Sequence, residues 1–200
     1  MTDSPAAPRA PRGGKRERLA AAAADVFHRQ GVERTTLGDI AAAAEVPLGN
    51  VYYYFKTKDQ LVEAALGAHR DRFAAAAAEL DRLPDPADRL KGLIEGWVGQ
   101  RETAARYGCP FGTLAAELDK RDDGLDRSAA AVLQAVIDWT EAQFTALGRA
   151  DARDLAIELV AAYQGMSVLT NALRDPEVMA GRGRRLTAWI DSLARPVDQN

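Results

Sequence analysis

Side chains that can bind anions occur on short predicted helices between residues 36 and 58. Tyr52, Tyr53 and Tyr54 are consecutive, and a tyrosine hydroxyl can donate a hydrogen bond to a phosphate oxygen without carrying charge. Thr36 and Lys58 each stand near the start of a predicted helix, where unpaired backbone N–H groups already favour an anion. These residue types predict a surface that binds phosphate groups.

The segment Tyr52–Phe55 has an alternative interpretation as an aromatic core cluster. Successive residues of a helix point in different directions, so three adjacent tyrosines cannot all face one core. At least one of them is therefore exposed. An exposed row beside a cationic N-terminal arm, which carries Arg9 and Arg12, fits phosphate contact better than packing.

Residues suited to catalysis are scarce. The chain has two histidines, His28 and His69, and both fall on predicted helices of the first half, with His69 on an apolar side. The sequence contains no metal-ligand cluster, no phosphate-binding glycine loop and no Ser/His/Asp or Cys/His arrangement. We therefore expect no catalytic residues, no metal, no cofactor and no enzymatic activity.

The single cysteine allows no intrachain disulfide, which is typical of a reducing compartment. Cys109 directly precedes a predicted helix, a position shared by redox-sensitive thiols. The alternative is a partly buried, inert thiol, and the sequence favours that interpretation. Neither a secretory signal nor an apolar run long enough to cross a membrane is present, so we predict a cytoplasmic protein without membrane contact.

Charge is distributed unevenly along the chain. The formal net charge is -3, which alone argues against nucleic-acid binding. Residues 1–58, however, carry 9 lysines and arginines against 6 acidic residues, whereas residues 59–200 carry 17 against 23. A basic head on a larger acidic body permits local phosphate binding.

The elements that position these side chains are helices, and the sequence predicts an all-α fold. Residues 1–14 are rich in proline and indicate a disordered basic arm. An apolar face from Lys15 to Gly31, a short helix after Thr36 and a second short helix from about Leu48 to Tyr54 follow. Two short helices joined by a tight turn predict a helix-turn-helix domain over residues 15–60.

Residues 61–200 are predicted to form a helical regulatory and dimerisation domain. Its helices begin after Thr57, at Pro86, at Pro110, at about Ser128, at about Ala152 and at Pro176, with a loop near Tyr107. Apolar residues of the helix after Ala152 repeat at alternating spacings of four and three, a seam typical of coiled coils. We therefore predict a dimer interface, and its candidate residues are Val132, Val136, Leu155, Leu159, Ala162, Met166, Leu169 and Leu173.

The segment from Thr35 to Leu66 resembles the DNA-binding region of the TetR family of bacterial transcriptional regulators. The resemblance covers about residues 15–66 and includes the threonine pair, Ile40-Ala41, Val46 at the turn, and Tyr52 and Phe55 in the second short helix. Gly38 departs from it, because a basic or polar residue is common there. The resemblance implies an all-α dimer that binds a double-stranded DNA operator through the second short helix.

The resemblance also implies roles for individual residues. Leu48, Gly49 and Tyr52 match positions that approach base edges, whereas Asn50, Tyr53 and Tyr54 match positions that contact phosphate. With Thr36 and Lys58 they form the predicted DNA-binding set.

A small-molecule effector of unknown identity is implied as well, bound between helices of the second region. Pockets mix aromatic side chains with a few polar groups, so the candidate ligand residues are Trp97, Arg101, Tyr107, Phe111, Trp139, Tyr163 and Asn171. The resemblance implies a ligand-responsive repressor that binds a palindromic operator as a homodimer. A helical small-molecule-binding dimer without DNA-binding activity is the alternative.

Overall fold

A computed structural model describes residues 14–194, and these residues form α-helices with no β-strand among them. The predicted all-α class is confirmed. The predicted N-terminal arm lies, apart from Gly14, outside the described residues. In chain order the helices are α1 (Lys15–Gln30), α2 (Leu37–Ala43), α3 (Leu48–Tyr54), α4 (Lys58–Leu80), α5 (Pro86–Gly99), α6 (Arg101–Tyr107), α7 (Pro110–Leu118), α8 (Leu125–Ala146), α9 (Ala152–Leu173) and α10 (Pro176–Ala194).

Helices α1, α2, α3 and the first half of α4 surround one apolar core, and we call this part the head. Short helices are marginal in isolation, so their stability comes from burying an apolar face against neighbours. Every helix of the head contributes to this core. The largest fully buried side chains that these helices and the adjoining Phe55 contribute are Leu19, Ile40, Phe55, Leu61 and Leu66.

The turn between α2 and α3 is closed by local hydrogen bonds. Thr36 and Asp39 form a capping box at the start of α2, in which the Thr36 hydroxyl accepts from the Asp39 N–H at 3.1 Å. At its end, Glu45 adopts a left-handed φ of 52° and the Val46 N–H donates to the Ala41 carbonyl at 3.0 Å. This geometry turns the chain sharply, so α3 leaves α2 at an angle and lies at the edge of the head.

Helices α5, α6, α9 and α10, with most of α8, surround a second apolar core, and we call α5–α10 the body. Leu90, Phe144, Leu159 and Ile190 are fully buried at its centre. At Gly183, α10 approaches α5 so closely that an added Cβ would collide with the Val98 side chain. The body is therefore tightly packed between its long helices.

Head and body are joined by packing as well as by the chain. The core of the head includes Leu114 and Leu118 of α7 and Val132 of α8. The Glu117 carboxylate of α7 accepts the backbone N–H groups of Val32 and Glu33, each at 2.9 Å. The body thus holds the loop that enters α2.

Two elements differ from the sequence prediction. The chain from Arg101 to Tyr107 was expected to continue α5 and then form a loop, but it is a separate helix, α6. Helix α8 begins at Leu125, three residues before the predicted start, after Gly124 in a left-handed conformation at φ 98°. Both differences lie at glycine-rich or polar junctions, where helix ends are weakly encoded.

The predicted dimer seam requires a correction. Five of its candidates are buried within the subunit and have almost no surface to offer a partner: Val132, Val136, Leu155, Leu159 and Met166. Val132 packs in the core of the head, and the other four pack in the core of the body. Ala162 is half-buried, whereas Leu169 and Leu173 are exposed. The coiled-coil spacing from Leu155 to Met166 therefore describes the internal face of α9, and its last two leucines reach solvent.

Candidate nucleic-acid interface and ligand cavity

Helix α3 presents large side chains to solvent on one side. Tyr52 is 52% exposed, Tyr53 is 75% exposed and Leu48 is 47% exposed, which is unusual for residues of this size. On the opposite side, Val51 and Phe55 are buried in the core of the head. The interpretation of Tyr52–Phe55 as an aromatic core cluster is therefore wrong for Tyr52 and Tyr53 and right for Phe55, whereas Tyr54 is partly buried and packs against the core of the head.

The remaining predicted residues of α3 lie around this exposed surface. Gly49 is exposed, and a Cβ added there would meet no other atom within 4 Å. Asn50 is half-buried. Tyr54 is also half-buried, and its ring meets that of Tyr53 edge to face at 4.9 Å between centroids. This contact limits the positions that Tyr53 can adopt.

Thr36 and Lys58 already have partners within the head. The Thr36 hydroxyl and backbone N–H both donate to the Asp39 carboxylate at 2.8 Å. The Lys58 ammonium donates to the Glu33 carbonyl at 3.0 Å and is half-buried. This contact brings Lys58 next to Glu33, 25 residues earlier in the chain, in the loop that leads to α2. An ammonium keeps two further donors, so an anion can still bind there.

A cation that sequence reasoning missed lies beside the exposed side of α3. The exposed Lys56 donates from its ammonium to the Tyr52 carbonyl at 2.7 Å, at the end of α3. Its backbone N–H donates to the side chain of Gln60 at 2.7 Å. In the sequence, Lys56 follows Tyr54 by two residues, and this proximity to the tyrosines could have identified it as a candidate phosphate contact.

A cavity of about 940 Å³ lies between head and body. Its wall is formed by α1, α4, α5, α6, α7 and α9, so residues far apart in the chain meet there. Asp25, His28 and Arg29 of the head belong to the wall. His28 also donates from Nε2 to the Gly108 carbonyl of the body at 2.9 Å. A molecule in this cavity would therefore touch the head directly.

Four of the seven predicted ligand residues line the cavity: Trp97, Tyr107, Phe111 and Tyr163. Trp97 and Tyr163 are stacked, with ring centroids 4.1 Å apart and an interplanar angle of 16°. Both side chains are buried.

The other three do not line the cavity. Arg101 donates to the Val98 carbonyl at 3.5 Å, and the Asn171 amide donates to the Ala105 carbonyl at 3.2 Å. Trp139 donates from its indole N–H to Asp81 at 3.1 Å and packs against Phe73. The polar groups of these three residues form hydrogen bonds between neighbouring segments of the chain. The residue type alone does not show that a side chain is used in this way.

His69 is the lining residue whose chemistry sequence reasoning underestimated. It is 3% exposed, its ring meets Phe111 edge to face at 5.5 Å, and its Nε2 has no hydrogen-bond partner. Burial, together with the nearby positive charge of Arg72, lowers the pKa of His69 from its ordinary 6.5 to about 4. Burial also lowers the pKa of His28, opposed by its bond to Gly108. Both imidazoles are thus neutral at pH 7.

This pKa shift makes stability depend on pH with a definite sign. Between pH 6.5 and pH 4 the unfolded chain binds a proton at His69 that the folded chain does not. We expect the free energy of unfolding to fall as pH drops through this window, by about 3 kcal/mol in total from His69. Urea unfolding at pH 7.5, 5.5 and 4.5 measures the effect.

The matched variant for this measurement is His69→Phe, which keeps a ring against Phe111 and removes the titrating group. Its stability should change much less between pH 7.5 and pH 4.5, and His28 contributes the remaining change in the same direction. Equal pH slopes for the two proteins would show that His69 is not held neutral by the fold.

Among residues 14–194, no helix has both the length and the apolar character needed to span a bilayer. The same residues contain no group of three histidine, cysteine or acidic side chains arranged to hold a metal ion. Cys109 is buried and accepts the Gly112 N–H at 3.3 Å, as the N-cap of α7.

A small helical head with two short helices joined by a tight turn, the second of them at its edge, defines the class of helix-turn-helix proteins. Two family models match this chain: "Bacterial regulatory proteins, tetR family" over residues 19–65, and "Transcriptional regulator LmrA/YxaF-like, C-terminal domain" over residues 86–183. The chain belongs to the TetR family.

Curated relatives match over part of their length. The transcriptional repressor KstR2 of Mycolicibacterium smegmatis is 35% identical over 93 residues, which cover 46% of this chain and 43% of the relative. The transcriptional regulator TtgR of Pseudomonas putida is 37% identical over 82 residues, covering 40% and 39% respectively. The chain thus matches about two fifths of these relatives.

Solved structures match over nearly the whole chain. A TetR transcriptional regulator from Legionella pneumophila superimposes with a TM-score of 0.78 at 18% identity, covering 90% of this chain and 97% of that one. A TetR transcriptional regulator from Chloroflexus aurantiacus gives a TM-score of 0.75 at 25% identity, covering 88% and 94%. Head and body are therefore both present in the arrangement of the family fold.

Proposed function

We propose that this protein is a DNA-binding transcriptional regulator that binds a palindromic operator as a homodimer and responds to a small molecule. The observation that carries the proposal is the two-sided character of α3, with Tyr52 and Tyr53 exposed and Val51 and Phe55 buried. A major groove admits one α-helix, and a helix anchored on one side can present the other to base edges. Residues 15–60 act as the DNA-binding domain and residues 61–200 as the regulatory domain of a cytoplasmic repressor.

Within α3, the side chains divide by chemistry. Leu48 and Tyr52 face base edges, where an apolar side chain can contact a thymine methyl group, and Gly49 allows close approach. Asn50, Tyr53 and Tyr54 contact phosphates. Phosphate contacts fix the position of the helix, and base contacts supply selectivity.

The homodimer is supported by an exposed stripe on α9. Ile157, Ala161, Gly165, Val168 and Ala172 are all exposed, and their spacings of four, four, three and four place them on one helix face. Small residues at the centre of the stripe permit close approach of a second helix. This face replaces the buried seam as the proposed interface, with exposed Leu169 and Leu173 at its edge.

Ligand response is supported by the position of the cavity. Because residues of α1 form part of its wall, an occupied cavity favours some arrangements of the head relative to the body over others. In a dimer this changes the spacing of the two α3 helices, which must match the spacing of two half-sites, about one DNA turn or a multiple of it. Ligand binding would therefore weaken operator binding and relieve repression.

A gel shift with DNA flanking the protein's own gene, at two salt concentrations, tests the proposal. We expect a specific complex whose affinity falls as salt rises, because phosphate contacts release counterions. Absence of a specific complex with that DNA and with any sequence enriched from a random pool would favour the helical small-molecule-binding dimer without DNA-binding activity.

A further inference from the structure

The buried part of the cavity wall is apolar and aromatic. Trp97, Tyr163 and Leu93 are buried there, and Phe73 and Phe111 complete the aromatic lining. Burial raises the pKa of the Tyr163 phenol well above its ordinary value, so this side chain is uncharged. Aromatic walls favour an apolar ligand body that can stack or meet a ring edge to face.

Charged lining residues are confined to exposed positions. Three are acidic and three are basic, and they comprise Asp25, Glu79, Glu102, Arg29, Arg72 and Arg106. Asp25 and Arg72 are already paired at 2.9 Å. The described part of the wall thus offers no buried charge to compensate an ion, and burial of an uncompensated ion is costly.

His69 is the buried lining residue whose side chain keeps an unpartnered polar atom. Its Nε2 lacks a partner although the side chain is 3% exposed, and a buried polar atom without a hydrogen bond is unfavourable. Nε2 is a donor in one neutral tautomer and an acceptor in the other. A hydroxyl both donates and accepts, so it satisfies either tautomer.

We propose, building on the function proposed above, that the cavity binds an uncharged aromatic compound whose hydroxyl hydrogen-bonds Nε2 of His69. The aromatic body lies against Trp97, Phe111 and Tyr163, and the hydroxyl completes the one buried polar group that the described wall leaves unpartnered. His69 is then the specificity-determining residue of the cavity.

Three probes of matched size test this assignment by isothermal titration calorimetry on the full chain at pH 7.5: 2-naphthol, 2-methylnaphthalene and 2-naphthoate. We expect 2-naphthol to bind about tenfold more tightly than 2-methylnaphthalene, the effect of one buried hydrogen bond. We expect 2-naphthoate to bind at least about tenfold more weakly than 2-naphthol, because its charge has no buried partner.

Two variants localise the preference. His69→Phe should bind 2-naphthol and 2-methylnaphthalene equally, whereas Phe111→Leu should weaken both and keep the preference for the hydroxyl. Tightest binding of 2-naphthoate, an unchanged preference in His69→Phe, or no binding of any probe would overturn the proposal. Gel shifts on the same preparations report DNA binding separately, so a failed ligand assignment is distinguished from a failed regulator assignment.

Discussion

We expect replacement of both Tyr52 and Tyr53 with alanine to lower operator affinity roughly 100-fold and to leave the unfolding temperature unchanged. Both side chains are more than half exposed, so their removal costs little core packing. In a dimer both subunits carry the substitutions, so hydrogen bonds and apolar contacts to DNA are lost at both half-sites. Fluorescence anisotropy with labelled operator measures the affinity, and calorimetry measures the unfolding temperature.

Controls separate the tyrosines from the rest of α3. Tyr52→Phe with Tyr53→Phe removes only the hydroxyls and should give an intermediate loss if those groups contact DNA. Val51→Ala lies on the buried side of the same helix, so it should lower stability by about 1–3 kcal/mol through an internal cavity. Full operator affinity in the double alanine variant would show that α3 does not enter the groove.

The second large effect is expected from Val168→Asp on α9. Val168 is 64% exposed and belongs to the α9 stripe, so the folded subunit tolerates a charge there. In a dimer the new carboxylates would be buried without partners, at a cost of several kcal/mol. We expect the dimer dissociation constant to rise more than about 100-fold and the operator affinity to fall with it.

Leu83→Asp provides the matched control, because Leu83 is also an exposed apolar residue but follows α4, away from the stripe. It should remain a dimer with normal operator affinity. Sedimentation velocity over a range of concentrations measures the assembly state. A dimeric Val168→Asp protein would place the interface on another surface of the body.

The two variants should affect DNA contact and dimerisation separately. The tyrosine variant loses DNA contact with the dimer intact, whereas the Val168 variant keeps α3 intact and loses the second half-site. Ligand binding by the cavity should survive in both, since the cavity is formed within one subunit.

Helix ends were largely predictable because the signals that set them are local. A capping side chain and a proline at the first helical position act within one turn, so Thr36, Asp85-Pro86 and Cys109-Pro110 mark the starts of α2, α5 and α7. The two-sided pattern of α3 was also readable, because a helix with apolar residues at positions 51 and 55 must turn the intervening residues outward.

Tertiary structure decided which apolar face of α9 is internal. The sequence carries apolar residues on more than one side of this helix, and periodicity does not say which neighbour covers which side. Packing against α8 and α10 buries Leu159 and leaves Val168 exposed. The cavity is also a tertiary feature, because it joins His28, His69 and Tyr163 from three separate helices. A local pattern encodes where a helix begins and ends, but long-range contacts determine what each face meets.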